Sequence, residues 1–496
     1  MTRFSTIPEA IAFYAQKNPD KLCLADGETE LSYARFFRAA RGFASFLEEN
    51  GCKTGDRVLL QAEQSVQFTV AEFGAQFAGC VCVPLDSSAP DKRIAEVAKQ
   101  TGASVLLLRE RSAAFPAALS IRDTLSFGEA HPVDDNAGID PGALSEILFT
   151  TGTTGASKGV MHTFRSEAAC AYNQIHSFSA TEDDVWIIPM PLNHAMGLRK
   201  LHAALLSGGT AVIADGVAFA GRLFEGMDRY SATILSLVPA YLSVLLRLWS
   251  ENLAKYNGRL RFVRVGSAAA PREDLLALSK VLPDVAVSIC YGSTEASDCA
   301  FFNYIGAPGK QGCVGHVNEN TRILLLNDEG SPIEWPDVPG RIAIEGENVM
   351  AGYYGEPELT ASVLQNGRLL TGDVGYFDAD GLLYLLGRAD EVINSGGYKI
   401  SPAEVEEAAM KLEGVADCAC ISAPDRTLGQ IPKLAVKMKP GFVFEPEKIY
   451  RALSCALERH LLPREIVETE NIPRTASGKI QRALLARQIG EDELCR

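Results

Sequence analysis

The sequence predicts an α/β protein. A large N-terminal domain of wound α/β subdomains plus a β-rich subdomain precedes a small α+β C-terminal domain. Three observations predict this. Short apolar runs alternate with helical periodicity over most of the first 300 residues, the pattern of strands covered by helices. From about Gly315 the helical segments give way to short strands separated by Asp, Gly and Pro turns. After Asp390 comes a compact tail that again mixes helices and strands. The boundaries are 1–388 for the large domain, with its β-rich part at about 315–388, and 389–496 for the small one. A hinge falls near Asp390, between Leu386 and Glu391.

In order along the chain, Ile7 to Ala15 has helical spacing. Arg57 to Leu60, Cys80 to Val83 and Val105 to Leu108 are continuous apolar runs, as in strands buried on both faces. Val185 to Ile188, Thr210 to Ile213 and Phe262 to Val265 resume the series. Ala232 to Leu246 is interrupted by Ser236, Pro239 and Ser243, so it reads as a buried strand and helix rather than a membrane span. Arg322 to Leu326, Gly340 to Glu345 and Gly381 to Leu386 form the β-rich part. In the tail, helices are placed at Pro402 to Lys411 and Pro446 to His460, and strands at Val415 to Ser422 and Lys433 to Met438.

With 496 residues, the chain is long enough for roughly three ordinary units and needs no disulfide staples. A net charge of −15 argues against nonspecific nucleic-acid binding, which requires clustered Lys and Arg. An acidic protein can still hold a locally positive phosphate pocket. The N-terminus has no apolar run that would serve as a signal peptide. The 12 cysteines include no CxxC pair. Cys80 with Cys82 and Cys418 with Cys420 are period-two, same-face pairs, as expected of free thiols in a reducing cytoplasm.

Ile147-Leu148-Phe149 reads as a strand emptying into Thr150-Thr151-Gly152-Thr153-Thr154-Gly155-Ala156-Ser157-Lys158-Gly159. Glycines let backbone N–H groups approach an anion, hydroxyls add donors without bulk, and Lys158 supplies charge. The spacing does not fit a Walker A loop, and alone the segment could equally be an ordinary turn. Four further polar segments follow in order. They are Tyr291-Gly292-Ser293-Thr294-Glu295, Thr371-Gly372-Asp373, Gly387-Arg388-Ala389-Asp390 through Lys399, and Pro473 to Lys479.

Together, from about Leu31 to Arg482, these segments resemble the adenylate-forming superfamily of acyl- and aryl-CoA synthetases, peptide-synthetase adenylation domains and luciferase. The resemblance implies an ATP-dependent enzyme, with magnesium (Mg2+) as cofactor. It would join a carboxylic acid to AMP with release of pyrophosphate, then pass the acyl group to a thiol. It further implies that Thr150, Thr151, Gly152, Thr153, Thr154, Gly155 and Lys158 cradle phosphate, and that Tyr291, Gly292, Ser293 and Thr294 continue the ATP site. Tyr291 would lie against adenine and Thr294 would meet the α-phosphate. Glu295, with Thr154, would hold the metal; a carboxylate is the hard donor that magnesium prefers. Asp373 would accept the ribose hydroxyls, Arg388 would contact ribose or phosphate, and Ser267, Ala268 and Ala269 would form a wall. Lys479 would bridge carboxylate and phosphate during adenylation.

By the same resemblance, Asp390 is the hinge about which the small domain turns between half-reactions, and Gly396, Gly397 and Lys399 flank a pantetheine tunnel. Pro189 to Gly197 resembles the CoA-ligase form of its motif, with Asn193-His194 where amino-acid-activating domains show Phe-Asp. His194 would gate the carboxylate, and Met196, Gly197, Gly266 and Ser267 would line the acyl pocket with it. Ser157 and Asn394 depart from the common pattern. The leading reading is an AMP-forming acid:CoA ligase acting on a small carboxylic acid. A carrier-protein phosphopantetheine is the alternative to coenzyme A as acceptor. A noncatalytic nucleotide-binding protein is the alternative from another class.

Overall fold

In a computed structural model, residues 2–110, 112–132, 138–151, 157–216, 220–306, 308–310, 312–396, 398–474 and 480–494 are described. They form three sheets with helices on their faces. The first sheet runs, edge to edge, Gly352–Tyr353, Ser157–Thr163, Leu144–Thr151, Val81–Asp86, Arg57–Ala62, Val105–Leu108, Leu119–Ser120. Its middle is parallel, and the two strands flanking the phosphate-loop segment pair antiparallel, with Thr150 opposite Lys158.

The second sheet is long. Its strands Val185–Ile188, Ile234–Leu237, Phe262–Val265 and Ala286–Ser293 are parallel and buried. At Ser297–Tyr304 it turns antiparallel and continues into the hairpins Thr321–Leu326, Gly340–Gly346, Arg368–Phe377 and Leu383–Arg388. The β-rich part is therefore an extension of this sheet rather than a separate one. The N-terminal strand Leu22–Ala25 does not join the first sheet, which is nearer in sequence. It pairs in parallel with Thr210–Ile213 at the far edge of the second.

Between the two sheets lie the helices Tyr33–Glu49, Val66–Phe77, Phe164–Phe178 and Ala195–Ser207. Their shared core takes Val58 and Leu60 from one sheet and Trp186, Ile188 and Ile213 from the other. Hydroxyl caps set the helix starts: Ser65 accepts from Phe68 N, and Thr163 forms a capping box with Ser166. Ala195–Ser207 is unusual for a buried helix, because Arg199, Lys200 and His202 are all within 1% of full burial. Arg199 pairs with buried Glu146, and His202 lies between Glu72 (2.8 Å) and Glu167 (3.2 Å). Burial pushes the Glu167 carboxyl up to about 7 despite the opposing pull of His202.

Only the four residues 389–392 separate the last strand of the long sheet, Leu383–Arg388, from the first strand of the third sheet, Ile393–Ser395. This sheet orders Tyr398–Ile400, Ile393–Ser395, Gly429–Met438 and Val415–Asp425, with Glu465–Glu468 parallel to Gly429–Met438. Cys418 and Cys420 face one core, while Ala419 and Ile421 face the other. The helix expected to reach His460 stops at Ser454. The chain then bends through a single 3-10 turn at Arg459–Leu461, which brings Leu457, Leu461 and Leu462 onto the core that Ile449 and Leu453 already fill. No helix among the described residues is long and apolar enough to cross a membrane.

Candidate active site

The hairpin Ala286–Ser293/Ser297–Tyr304 carries the segment from Tyr291 to Glu295. Its register shifts between Tyr291 and Gly292, and a Cβ on Gly292 would lie 2.0 Å from the Ser297 carbonyl oxygen, so no other residue fits there. Tyr291 is buried, and its hydroxyl donates to Asp373 Oδ2 at 2.7 Å. Burial and then the Asp373 charge hold the Tyr291 phenol well above its usual pKa, so it stays a donor. Asp373 stands opposite Arg388 in the neighbouring strand, with the guanidinium 3.4 Å from Oδ1. Gly372 leaves room for that guanidinium, since a Cβ there would come within 2.3 Å of it. One carboxylate thus faces a phenol and a guanidinium and retains acceptor capacity on both oxygens.

The turn at Thr294-Glu295 is held from outside by residues that the sequence did not single out. His162, fully buried, meets the Thr294 carbonyl through Nε2 at 2.9 Å and Ser166 Oγ through Nδ1 at 3.1 Å. Met350 N donates to the Glu295 carbonyl, and buried Asn348 donates to the Ala296 carbonyl at 2.6 Å. The Tyr353 hydroxyl donates to Glu295 Oε1 at 2.9 Å, and the Lys158 ammonium sits 5.4 Å from the centre of the same Tyr353 ring. Tyr353 therefore couples the loop lysine to the carboxylate. Glu295 Oε2 has no protein donor among the described residues, which suits a carboxylate that holds a hard cation.

Burial, reinforced by Arg199, pushes the His162 imidazole down to about 4. A neutral ring that donates through Nε2 accounts for the contact with Thr294. The folded value lies below the ordinary 6.5, so the unfolded chain binds the extra proton first as pH falls. The stability present above pH 6.5 should therefore be lost between about 6.5 and 4, by about 3 kcal/mol for this residue. Denaturant titrations at pH 7.5 and 4.5 should show His162→Gln losing less stability over that span than the wild type. Equal losses would refute the assignment.

His194 precedes the helix Ala195–Ser207 as its N-cap residue and is open to solvent. Although one side of the residue is open, the packing around its imidazole lowers the pKa, and Asp86 opposes the shift. Gln64 sets this loop in place: its amide donates to the carbonyls of Met190 and Ala214 and accepts from Leu192 N. Gly197 is tightly enclosed, because a Cβ would meet the Met190 and Pro191 carbonyls at 2.5 and 2.4 Å. Gly266 faces both Met196 and Cys290, whose side-chain atoms would lie 3.3 and 2.7 Å from a Cβ at that position. Ser267 follows with φ of 74°, a left-handed conformation uncommon outside glycine.

The structure therefore brings Tyr291, Asp373 and Arg388 together, bridges Glu295 to Lys158, and joins Met196 to Gly266. It places Lys399 elsewhere, 3.9 Å from Asp328 on the β-rich part, beside a cleft of about 430 Å³ edged by Trp335. Gly396 donates to the Leu428 carbonyl. Asp390 is exposed, 3.8 Å from Arg388. Gly152, Thr153, Thr154, Gly155, Gly397 and Lys479 lie outside the described residues.

Residues 12–354 match the family model described as AMP-binding enzyme, and residues 404–479 match the AMP-binding enzyme C-terminal domain. The chain belongs to the AMP-binding enzyme family. Among its relatives is a feruloyl-CoA synthase of Amycolatopsis sp, 29% identical over 91% of this chain and 92% of that one. Another is the 2-succinylbenzoate–CoA ligase of a Geobacillus strain, 26% identical over 93% of each. Among solved structures, the o-succinylbenzoate CoA synthetase of Bacillus subtilis, bound to its acyl-adenylate intermediate, superposes with a TM-score of 0.83. It is 25% identical, with 96% of this chain and 98% of that chain covered. In this AMP-binding enzyme the α/β architecture read from the sequence is the family's own.

Proposed function

We infer that this protein is an ATP-dependent acid:CoA ligase that works through an acyl-adenylate. The observation that carries the reading is the convergence of Tyr291, Asp373, Arg388 and Glu295, from three separate stretches of chain, along one end of the long sheet. A ribose diol fits the two oxygens of Asp373, and a triphosphate fits the ground between Thr294 and Lys158. In the first step a substrate carboxylate oxygen bonds to the α-phosphorus as pyrophosphate leaves. In the second, the thiolate of coenzyme A attacks the acyl carbon and AMP leaves. Both partners in the first step are anions, so fixed positive charge and aligned donors lower its barrier. Lys158, Arg388 and Lys479 supply the charge, and Thr294 and Tyr291 the donors.

Magnesium fits at Glu295, where one oxygen is fixed by Tyr353 and the other has no protein donor among the described residues; when bound, it neutralises phosphate charge. His194, at the mouth of the helix that also carries Met196, sits where the acid would enter. The residues at Asn193-His194 offer no carboxylate for an ammonium group, which favours acids without an α-amino group.

Pyrophosphate release with ATP across a panel of acids tests the reading, with free coenzyme A and a phosphopantetheinyl carrier protein as rival acceptors. Acid-dependent pyrophosphate release and thioester formation on free coenzyme A are expected. Turnover only on the carrier protein would reassign the acceptor. ATP binding with no release for any acid would support a noncatalytic protein.

A further inference from the structure

Gly266, Met196 and Cys290 meet at the end of the strand Phe262–Val265, and behind them lies a charged cluster that adenylation does not use. Lys200 follows Met196 by one helical turn, and Arg264 precedes Gly266 by two residues in the strand. Both cations are buried, and so is Asp298, the one carboxylate among the described residues that pairs with them: Lys200 is 3.6 Å from its Oδ2, and Arg264 is bonded to the same oxygen. Cys290, half-buried, packs against Gly266 on one side and bonds to Asp298 on the other.

Two cationic side chains therefore share one carboxylate. The hydrogen bonds are skewed in the same sense. Gln174 Oε1 accepts from both Lys200 and Arg264, and the Gln174 side chain itself leans on Asp298, so a further donor draws on the same carboxylate. Arg264 completes its shell with Ser177, Ser288 and the Phe178 ring, 4.0 Å from the guanidinium carbon. Buried charges and donors are normally matched, because an unmatched one forfeits its hydration without return. Burial accordingly lowers the Lys200 pKa, with Asp298 opposing. What the cluster lacks is one anionic acceptor.

We propose that the acid activated here carries a second carboxylate at its far end, and that Lys200 is the residue that selects for it. The proposal rests on the acid:CoA ligase reading. The reacting carboxyl must meet the α-phosphate near Thr294 and His194, so the rest of the acid runs toward Met196, Gly266 and Cys290. A distal carboxylate arriving there supplies the missing negative charge, in surroundings where a charge-assisted contact is strong. A monoacid of the same skeleton leaves the cation excess unanswered. Lys200→Met removes that excess and leaves Arg264 and Asp298 as a balanced pair, so the fold should keep its melting temperature.

The experiment compares kcat/KM for pyrophosphate release on matched pairs: hexanoate with adipate, benzoate with isophthalate, and 3-phenylpropionate with 3-(2-carboxyphenyl)propionate. The diacid should win by about tenfold or more in at least one pair. Lys200→Met should cut that diacid's value about 30-fold, the loss of a hydrogen bond to a charged group, and leave the monoacid within about threefold. Lys200→Arg should retain most of the preference. Monoacids equal or better in every pair, or equal losses for both acids in Lys200→Met, would overturn the proposal while leaving the ligase reading intact. Should Lys200→Met not fold, the wild-type pair preference together with Lys200→Arg decides. Release with no acid of either kind would overturn the ligase reading, and this proposal with it.

Discussion

Glu295→Gln should lower acid-dependent exchange of pyrophosphate into ATP by about a hundredfold or more, the scale of losing a key electrostatic contact in a water-poor site. The substitution keeps side-chain length and keeps an oxygen for the Tyr353 hydroxyl, so the turn from Ser293 to Ser297 and its ties to His162 and Met350 should persist. What disappears is the negative charge that would anchor the metal. Raising magnesium should recover part of the lost rate, because weakened binding is offset by mass action. Tyr353→Phe, which removes one neutral donor, should cost far less, about tenfold. Exchange within about threefold of wild type in Glu295→Gln would remove Glu295 from the metal role.

The second large effect separates the half-reactions. Lys479→Ala should slow adenylation by about a hundredfold or more, because the charge that offsets repulsion between carboxylate and phosphate is gone. Thioester formation from supplied acyl-adenylate should be much less affected. Asp390→Pro should do the reverse: the exposed backbone between the two sheets loses its torsional freedom, adenylation stays measurable and thioester formation collapses. Rapid-quench assays of each half-reaction check both. Equal loss of the two steps in either variant would contradict a rotating small domain.

Features governed by neighbours in sequence were legible. The period-two pair Cys418 and Cys420 shares a face, as read. The two carboxylates Asp373 and Glu295 could be read because short ordered motifs carry them. The residues that hold those motifs in place were not legible. His162 reaches Thr294 across 132 residues, Gln64 reaches Met190 across 126, and Tyr353 reaches Glu295 across 58. For each of them the partner exists only once the sheets have stacked. Lys200 and Arg264 were opaque for the same reason: nothing in their own segments names Asp298 as the partner. The pairing of Leu22–Ala25 with Thr210–Ile213 was hidden too, since local periodicity specifies a strand but not its neighbour.

The four-residue span at 389–392 has a kinetic meaning. So short a leash holds the C-terminal unit at an effective concentration on the order of millimolar or above with respect to the nucleotide cleft, whatever the dilution of the protein. If that unit does carry catalytic groups to the cleft, their delivery would be a first-order event, set by torsion about a few bonds and independent of protein concentration. Proteolytic nicking within that span would turn the same encounter into a second-order one, and turnover would then fall on dilution.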